Sequence, residues 1–277
     1  MTRRWRWIVM AWMGASSWTI AEEHLPSLPV QVTASGVRYG IWPEKPMQPA
    51  PTLFIFSGAL EDTLKSEYFR QAGNVLAKQG YLCVSIDLPC HGQDVRAEEP
   101  DGLAGWRHRL EQGDDFVAHA TSRFRQVLDE LIALKLADPD RIAACGTSRG
   151  GYMAVQFAAA DPRIKCVAAF APVTELTALR EFSKFPQQER TNSLSLKSRA
   201  GQLAGRAVWV IIGDRDDRVS TEEAIAFCRA VTAESLERKR PALVDLHVVS
   251  EPKGHTTPSG AAELAAAWID RQLSPMP

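Results

Sequence analysis

The stretch Gly146-Thr147-Ser148-Arg149-Gly150 links an apolar, strand-like run at 141–145 to a segment rich in helix formers at 152–160. A G-x-S-x-G pattern between a strand and a helix is typical of a sharp turn that lifts the serine hydroxyl above the edge of a sheet. Such a turn tolerates only small residues beside the serine, which explains the two glycines. The stretch therefore predicts that Ser148 is a nucleophile and that the backbone N–H of Arg149 points at the reacting oxygen.

Apolar runs of strand length alternate with helical patterns over most of the chain, which predicts βαβ units and a mainly parallel sheet. The runs are nearly all apolar rather than alternating, as expected when helices cover both faces. We therefore expect an α/β fold with a central sheet of about eight strands, in one domain over 22–277. Strands are predicted near 28–33, 36–41, 52–56, 81–86, 141–145, 165–170, 207–212 and 243–249, and helices over 66–79, 114–136, 149–160, 220–239 and 260–273.

Two segments depart from this alternation. Residues 90–113 read as a long loop or small insertion, and residues 174–205 carry helical pieces that predict a small lid. Trp106 in the first segment, and Phe182 and Phe185 in the second, are candidates either for substrate contacts or for packing on the domain. We favour packing, because large aromatic side chains are mostly buried.

The N-terminus begins with Arg3, Arg4 and Arg6, continues with the apolar run 7–15 and has small residues near Ala21. This order predicts a secretory signal peptide over residues 1–21 and a secreted or periplasmic protein. The alternative is an N-terminal extension of a cytoplasmic protein. The apolar run is too short to span a bilayer comfortably, so we expect no stable membrane insertion.

Composition excludes several classes of partner. The formal net charge of the 277 residues is −1, whereas a nucleic-acid-binding surface normally makes a chain basic. The chain has five cysteines but no C-x-x-C pair, so we expect no metal and no cofactor. A disulfide between Cys83 and Cys90 stays open as an alternative.

A serine nucleophile needs a base and a carboxylate that orients the base. In a fold of this kind the chain order is serine, carboxylate, histidine, so the base must follow Ser148. His247 lies inside the last predicted strand, whereas His255 lies in a loop past its carboxyl end, which favours His255. The carboxylate should follow the strand that ends at residue 212, where the acidic residues are Asp214, Asp216 and Asp217.

A second N–H donor for the developing oxyanion should come from the loop after the strand at 52–56. This loop reads Ser57-Gly58-Ala59-Leu60. We favour the N–H of Ala59, with that of Leu60 next. The alternative is an ordinary turn from a strand to a helix with no role in the site.

These residues together resemble the α/β-hydrolase superfamily over about 30–275. The segment 213–219 resembles its G-x-x-D-x-x-V motif, which selects Asp216 as the carboxylate. The segment 87–92 resembles its D-x-P-G-H-G turn, with Cys90 in place of the usual glycine, which implies a structural role for His91. The supporting motifs are Gly146-Thr147-Ser148-Arg149-Gly150, Gly213-Asp214-Arg215-Asp216-Asp217-Arg218-Val219, Gly254-His255 and Asp87-Leu88-Pro89-Cys90-His91-Gly92.

The segments 140–154 and 171–173 resemble the prolyl-oligopeptidase and dienelactone-hydrolase branches more than the lipases. Dienelactone hydrolases use a cysteine where this chain has Ser148, and prolyl oligopeptidases usually carry a propeller domain before the catalytic one. Only some 50 residues precede the first long apolar strand here. The resemblance therefore implies a serine hydrolase that cleaves small-molecule or carbohydrate esters. A serine peptidase or amidase is the first alternative, and a non-catalytic binding protein of the same fold is the second.

Overall fold

The computed structural model of the chain describes residues 30–274, so the predicted signal peptide at 1–21 lies outside the described residues. In this range there are eight strands and ten α-helices. The strands are β1 (Val30–Val32), β2 (Arg38–Trp42), β3 (Ala50–Phe56), β4 (Leu82–Ser85), β5 (Ala137–Thr147), β6 (Ile164–Phe170), β7 (Ala207–Gly213) and β8 (Val244–Val249). The helices are α1 (Leu60–Lys65), α2 (Glu67–Arg70), α3 (Gly73–Leu76), α4 (Gly102–Glu111), α5 (Phe116–Ala133), α6 (Arg149–Ala160), α7 (Gln188–Leu194), α8 (Ala200–Leu203), α9 (Thr221–Glu237) and α10 (Ala261–Leu273).

All eight strands belong to one sheet, in the order β1-β2-β4-β3-β5-β6-β7-β8. The pairs β1–β2 and β2–β4 are antiparallel, and the other five pairs are parallel. The sheet confirms the predicted fold class, an α/β-hydrolase fold with helices on both faces. Because β3 and β5 to β8 run in the same direction, their carboxyl ends meet at one edge of the sheet.

The sheet separates two apolar clusters, because successive residues of a strand point to opposite faces. On one face Phe56 stacks on Phe124 of α5, with ring centroids 4.6 Å apart. On the other face Phe170 meets Trp209 edge-to-face at 5.5 Å, and Trp268 of α10 belongs to the same cluster. Both faces are therefore covered, as the continuous apolar strands predicted.

Two predicted elements differ from the observed ones. The helix expected over 66–79 is broken into α2, α3 and a 3₁₀ turn at 77–79, because Gln71 has a left-handed backbone with φ of 45°. The strand expected over 141–145 is twice as long, since its parallel pairing with β3 begins at Ala50 opposite Ala137. β5 therefore includes Asp138 and Pro139, which precede the predicted strand.

The insertion at 90–113 is ordered around α4. Trp106 is fully buried, and its indole N–H donates to the carbonyl of Pro89 at 2.7 Å, so this side chain packs on the domain. Arg109, also buried, forms ion pairs with Asp94 at 2.7 Å and with Glu99 at 2.5 Å. All five cysteines are free and buried, so the Cys83–Cys90 disulfide is not formed.

The segment 174–205 is attached to the body through aromatic side chains. Phe182 and Phe185 are buried with ring centroids 5.9 Å apart, and Arg107 of α4 lies over the Phe185 ring. These contacts favour anchoring over a pocket-lining role for both phenylalanines, and the lid stays a prediction. No helix within residues 30–274 has the length and apolar character needed to cross a membrane.

The turn between β5 and α6 depends on close backbone contacts. A Cβ on Gly150 would overlap the carbonyl oxygen of Phe56 at the end of β3, and one on Gly146 would overlap the backbone of Gly150. These two glycines therefore let α6 begin directly against the neighbouring strand.

We predict that Gly150→Ala destabilises the protein strongly, because backbone atoms rather than a flexible side chain must move. The expected loss in the free energy of unfolding lies at or above the upper end of the roughly 1–3 kcal/mol that overpacking costs. Gly151→Ala is the matched control, since its Cβ would meet Gly146 O and Pro172 Cβ only at 3.0 Å. Urea unfolding measures both, and equal losses in the two variants would contradict this account.

A second prediction concerns acid stability. Hydrogen bonds from Arg109 lower the pKa of Glu99 from 4.5 to about 2. Because this carboxyl is more acidic in the folded state, its ion pair stabilises the fold above about pH 4.5 and is lost as the pH falls toward 2. Arg109→Met should remove this pH dependence and lower the free energy of unfolding at pH 7 by about 3–5 kcal/mol.

Arg238→Met is the control for this prediction, because it removes an exposed pair with Glu234. Such a pair contributes about 1 kcal/mol or less. Denaturant titrations at several pH values distinguish the variants. An Arg109→Met protein that unfolds at the same denaturant concentration as wild type would refute the role of this pair.

Candidate active site

Ser148 lies directly after β5, at the edge where the parallel strands end. Its backbone is left-handed, with φ of 56° and ψ of −117°. Its N–H donates to Phe170 O at 2.9 Å, and its carbonyl accepts from Tyr152 and Val173, both at 3.1 Å. A non-glycine residue in this conformation costs about 1–3 kcal/mol and persists only where its surroundings impose it. These hydrogen bonds supply that constraint.

Three of the predicted site residues form one chain of hydrogen bonds. His255 Nε2 lies 3.0 Å from Ser148 Oγ, and His255 Nδ1 lies 2.8 Å from Asp216 Oδ2. An ionised carboxylate only accepts, so Nδ1 carries a proton and Nε2 offers its lone pair to the serine hydroxyl. The arrangement can remove a proton from Ser148 Oγ and stabilise the imidazolium that results.

Asp216 is held by the loop after β7. Its side chain is fully buried, and Oδ1 accepts the backbone N–H groups of Arg218 at 3.1 Å and Val219 at 3.2 Å. These bonds fix the carboxylate and leave Oδ2 for the histidine. The other two candidates are exposed, and the Asp214 carboxylate accepts the N–H of Glu251. Among residues 30–274, Asp216 is the only carboxylate that is hydrogen-bonded to His255.

The loop that carries His255 is held by residues that the sequence did not indicate. The Tyr68 hydroxyl accepts the N–H of Thr257 at 3.1 Å, and Gln71 Nε2 donates to Thr257 Oγ1 at 3.1 Å. No local motif marks these two residues, because they lie far from His255 in the chain. The rejected base, His247, packs its ring on Trp209 at 5.1 Å within the sheet.

The two candidate oxyanion donors, the N–H groups of Ala59 and Arg149, belong to residues that line one cavity. Gly150 contacts the backbone of Phe56 and Ser57, which brings the start of α6 against the loop that contains Ala59. The N–H of Leu60, the second choice for this role, donates to Asp87 Oδ1 at 2.9 Å and is therefore engaged. Within residues 30–274 the N–H groups of Ala59 and Arg149 have no hydrogen-bond acceptor. Their role in catalysis stays a prediction.

A cavity of about 360 Å³ opens beside these donors. Its lining includes Ala59, Arg149, and the His91 ring, whose Nδ1 lies 2.8 Å from Pro89 O. That hydrogen bond agrees with the structural role expected for His91. In the described part of the chain, no cluster of three or more histidine, cysteine or acidic side chains is arranged to hold a metal ion.

Comparisons with known proteins agree with this architecture. Residues 118–274 match the prolyl oligopeptidase family. Esterase FrsA of Serratia proteamaculans (strain 568) is 31% identical over 132 residues, which cover 47% of this chain and 27% of FrsA. The chain thus spans only about a quarter of the length of this curated relative.

Two solved structures illustrate the shared fold. A cold-adapted esterase from an Arctic intertidal metagenomic library superposes with a TM-score of 0.63 and 20% identity, covering 88% of this chain and 92% of that one. Porphyromonas gingivalis dipeptidyl peptidase 4 gives 0.63 and 17% identity, covering 90% of this chain and 35% of the peptidase. The family match extends over more than half of the 277 residues. The chain therefore belongs to the prolyl oligopeptidase family, on an α/β-hydrolase fold.

Proposed function

We propose that this protein is a serine hydrolase that cleaves carboxylic esters through an acyl-enzyme. The observation that carries this proposal is the continuous hydrogen-bond chain from Ser148 Oγ through His255 to Asp216. This hydrogen-bond chain begins at a serine whose backbone is held in a strained conformation at the edge of the sheet. Strained backbones cluster at functional sites, which favours a catalytic protein over a non-catalytic one of the same fold.

The proposed reaction has two halves. In the first, Ser148 Oγ attacks the ester carbonyl while His255 Nε2 takes its proton, and His255 then gives that proton to the leaving alcohol. In the second, His255 Nε2 takes a proton from a water molecule that attacks the acyl-enzyme, and it gives this proton to Ser148 Oγ as the acid leaves. Asp216 stays ionised in both halves and stabilises the positive imidazole.

The negative oxygen of each tetrahedral intermediate would lie between the N–H groups of Arg149 and Ala59. Neither group has an acceptor among the described residues, so both are available for this oxygen. Arg149 is the first residue of α6, and the positive end of the helix dipole adds to the stabilisation.

Two classes of substrate are compatible with this chemistry. The relatives named as esterases support an ester, of a small molecule or of a carbohydrate. Membership of the prolyl oligopeptidase family, which shares its fold with a dipeptidyl peptidase, supports a peptide or other amide. We favour the ester, because the curated relative FrsA, which is 31% identical over 132 residues, is named an esterase.

Rates of ester and amide hydrolysis distinguish these two classes of substrate. We expect the kcat/KM for short-chain 4-nitrophenyl esters to exceed that for aminoacyl 4-nitroanilides by about a hundredfold or more. Ser148→Ala should lower kcat for the esters by about a thousandfold or more, because the nucleophile is lost. Ser193→Ala, at an exposed serine on α7, is the control and should leave turnover unchanged. Higher kcat/KM for the anilides would replace the esterase assignment by a peptidase.

The oxyanion assignment is tested by removing one backbone donor. Ala59 has φ of −69°, which proline adopts, so Ala59→Pro removes the N–H without demanding a new φ. We expect kcat for ester hydrolysis to fall by roughly 10²–10³, the usual effect of losing one donor. Ala59→Gly keeps the N–H and is the matched control. If both variants retain wild-type kcat while folded, the second donor lies elsewhere.

A further inference from the structure

The side chain of Arg149 is a half-buried cation with spare hydrogen-bond donors. Its Nε–H donates to Ser57 O at 2.9 Å, and across residues 30–274 no carboxylate lies within 4.0 Å of the guanidinium. Burial, followed by the charge of Arg218, lowers its pKa. An arginine has five N–H donors, so four remain for a ligand.

His91 supplies an acceptor in the same cavity. Its Nδ1 must carry the proton, because the carbonyl of Pro89 can only accept. The second ring nitrogen, Nε2, is buried and has no hydrogen-bond partner. Burial, reinforced by the charge of Arg149, lowers the pKa of His91 to about 4, so the ring is neutral at pH 7. His91 Nε2 therefore presents an unused lone pair.

Gly58 packs directly against these two groups. A Cβ at this position would lie 3.2 Å from Arg149 Nη2 and 3.8 Å from His91 Nε2. Any side chain here would cover both groups. The cavity beside Gly58 is lined by Arg149, His91 and Ala59, so a ligand there lies against all three residues.

The charge of the lining decides between an anion and a neutral ligand. Asp62 and Asp101, both exposed, line the cavity together with Arg149. Two carboxylates against one guanidinium disfavour an anionic ligand. A hydroxyl group suits the site better, because it accepts from Arg149 and donates to His91 Nε2 or to a carboxylate. Phe69 adds an apolar wall.

We propose that this cavity is a subsite for a group with vicinal hydroxyls, as a sugar ring carries, on the substrate ester. The subsite rests on the proposed function only in that its ligand is part of the ester cleaved at Ser148. It makes a hydroxylated ester a better substrate than an apolar ester of the same size. Arg149 then has two tasks, one for its backbone N–H and one for its side chain.

Binding to the full-length Ser148→Ala protein tests the subsite without turnover. Saturation-transfer NMR with methyl glucoside should give a signal that cyclohexanol and glutarate do not match. His91→Phe and Arg149→Met, each added to Ser148→Ala, should weaken binding about fivefold or more, as expected for one lost hydrogen bond. Arg215→Met is the matched control, because Arg215 is exposed and does not line the cavity.

The second test measures ester hydrolysis by proteins that retain Ser148. We expect acetylated methyl glucoside to have a kcat/KM about tenfold or more above that of cyclohexyl acetate, and both cavity substitutions to reduce this ratio. The subsite is refuted if methyl glucoside does not bind, if its binding is the same in both cavity variants, or if glutarate binds more tightly. If neither ester is hydrolysed while methyl glucoside binding still depends on His91 and Arg149, the esterase proposal fails and the subsite stands.

If His91→Phe does not fold, as judged by circular dichroism, Arg149→Met alone decides. That variant keeps its backbone N–H. It loses one side-chain hydrogen bond, from Arg149 Nε to Ser57 O, and no ion pair within the described residues, so we expect a loss of only about 1 kcal/mol in the free energy of unfolding.

Discussion

The contact between the first turn of α6 and the end of β3 is the constraint on which the site depends. It leaves no room for a Cβ at Gly150, two residues after Ser148, whose positive φ is maintained by hydrogen bonds with Phe170, Tyr152 and Val173. The same contact brings the loop with Ala59 beside the first N–H of the helix. One steric requirement therefore sets both the exposure of the hydroxyl and the position of the candidate oxyanion donors.

The other members of the site reach this point through the parallel sheet. Asp216 follows β7 and His255 follows β8, and both strands end at the same edge as β5. Hydrogen bonds fix both loops. Two backbone N–H groups hold the Asp216 carboxylate, and the side chains of Tyr68 and Gln71 hold the His255 loop. The hydrogen-bond chain is thus built on fixed supports rather than on mobile side chains.

Sequence reasoning could predict what depends on local pattern. Apolar runs that alternate with helical patterns predicted the parallel sheet. Chain order and the position of His255 in a loop favoured His255 over His247 as the base. Spacing alone left three aspartates open, and only the family resemblance selected Asp216. The structure separates them by burial and backbone hydrogen bonds, which no local pattern encodes.

The sequence could not predict features that arise from contacts between residues far apart in the chain. The break at Gln71 and the support from Tyr68 depend on residues near the other end of the chain. The engagement of the Leu60 N–H by Asp87 is a tertiary contact, and so is the isolation of the Arg149 guanidinium. Because Arg149 also lines the cavity, the sequence is more informative about chemistry than about substrate.

Covalent labelling tests the central claim, that Ser148 is a nucleophile activated by His255 and Asp216. The full-length protein would be incubated with a fluorophosphonate, and the adduct counted by intact mass and located by peptide mapping. The account predicts one adduct per chain, on Ser148, formed at least about a hundredfold more slowly in Asp216→Asn. A folded protein that forms no adduct, or forms one on another residue, would contradict it.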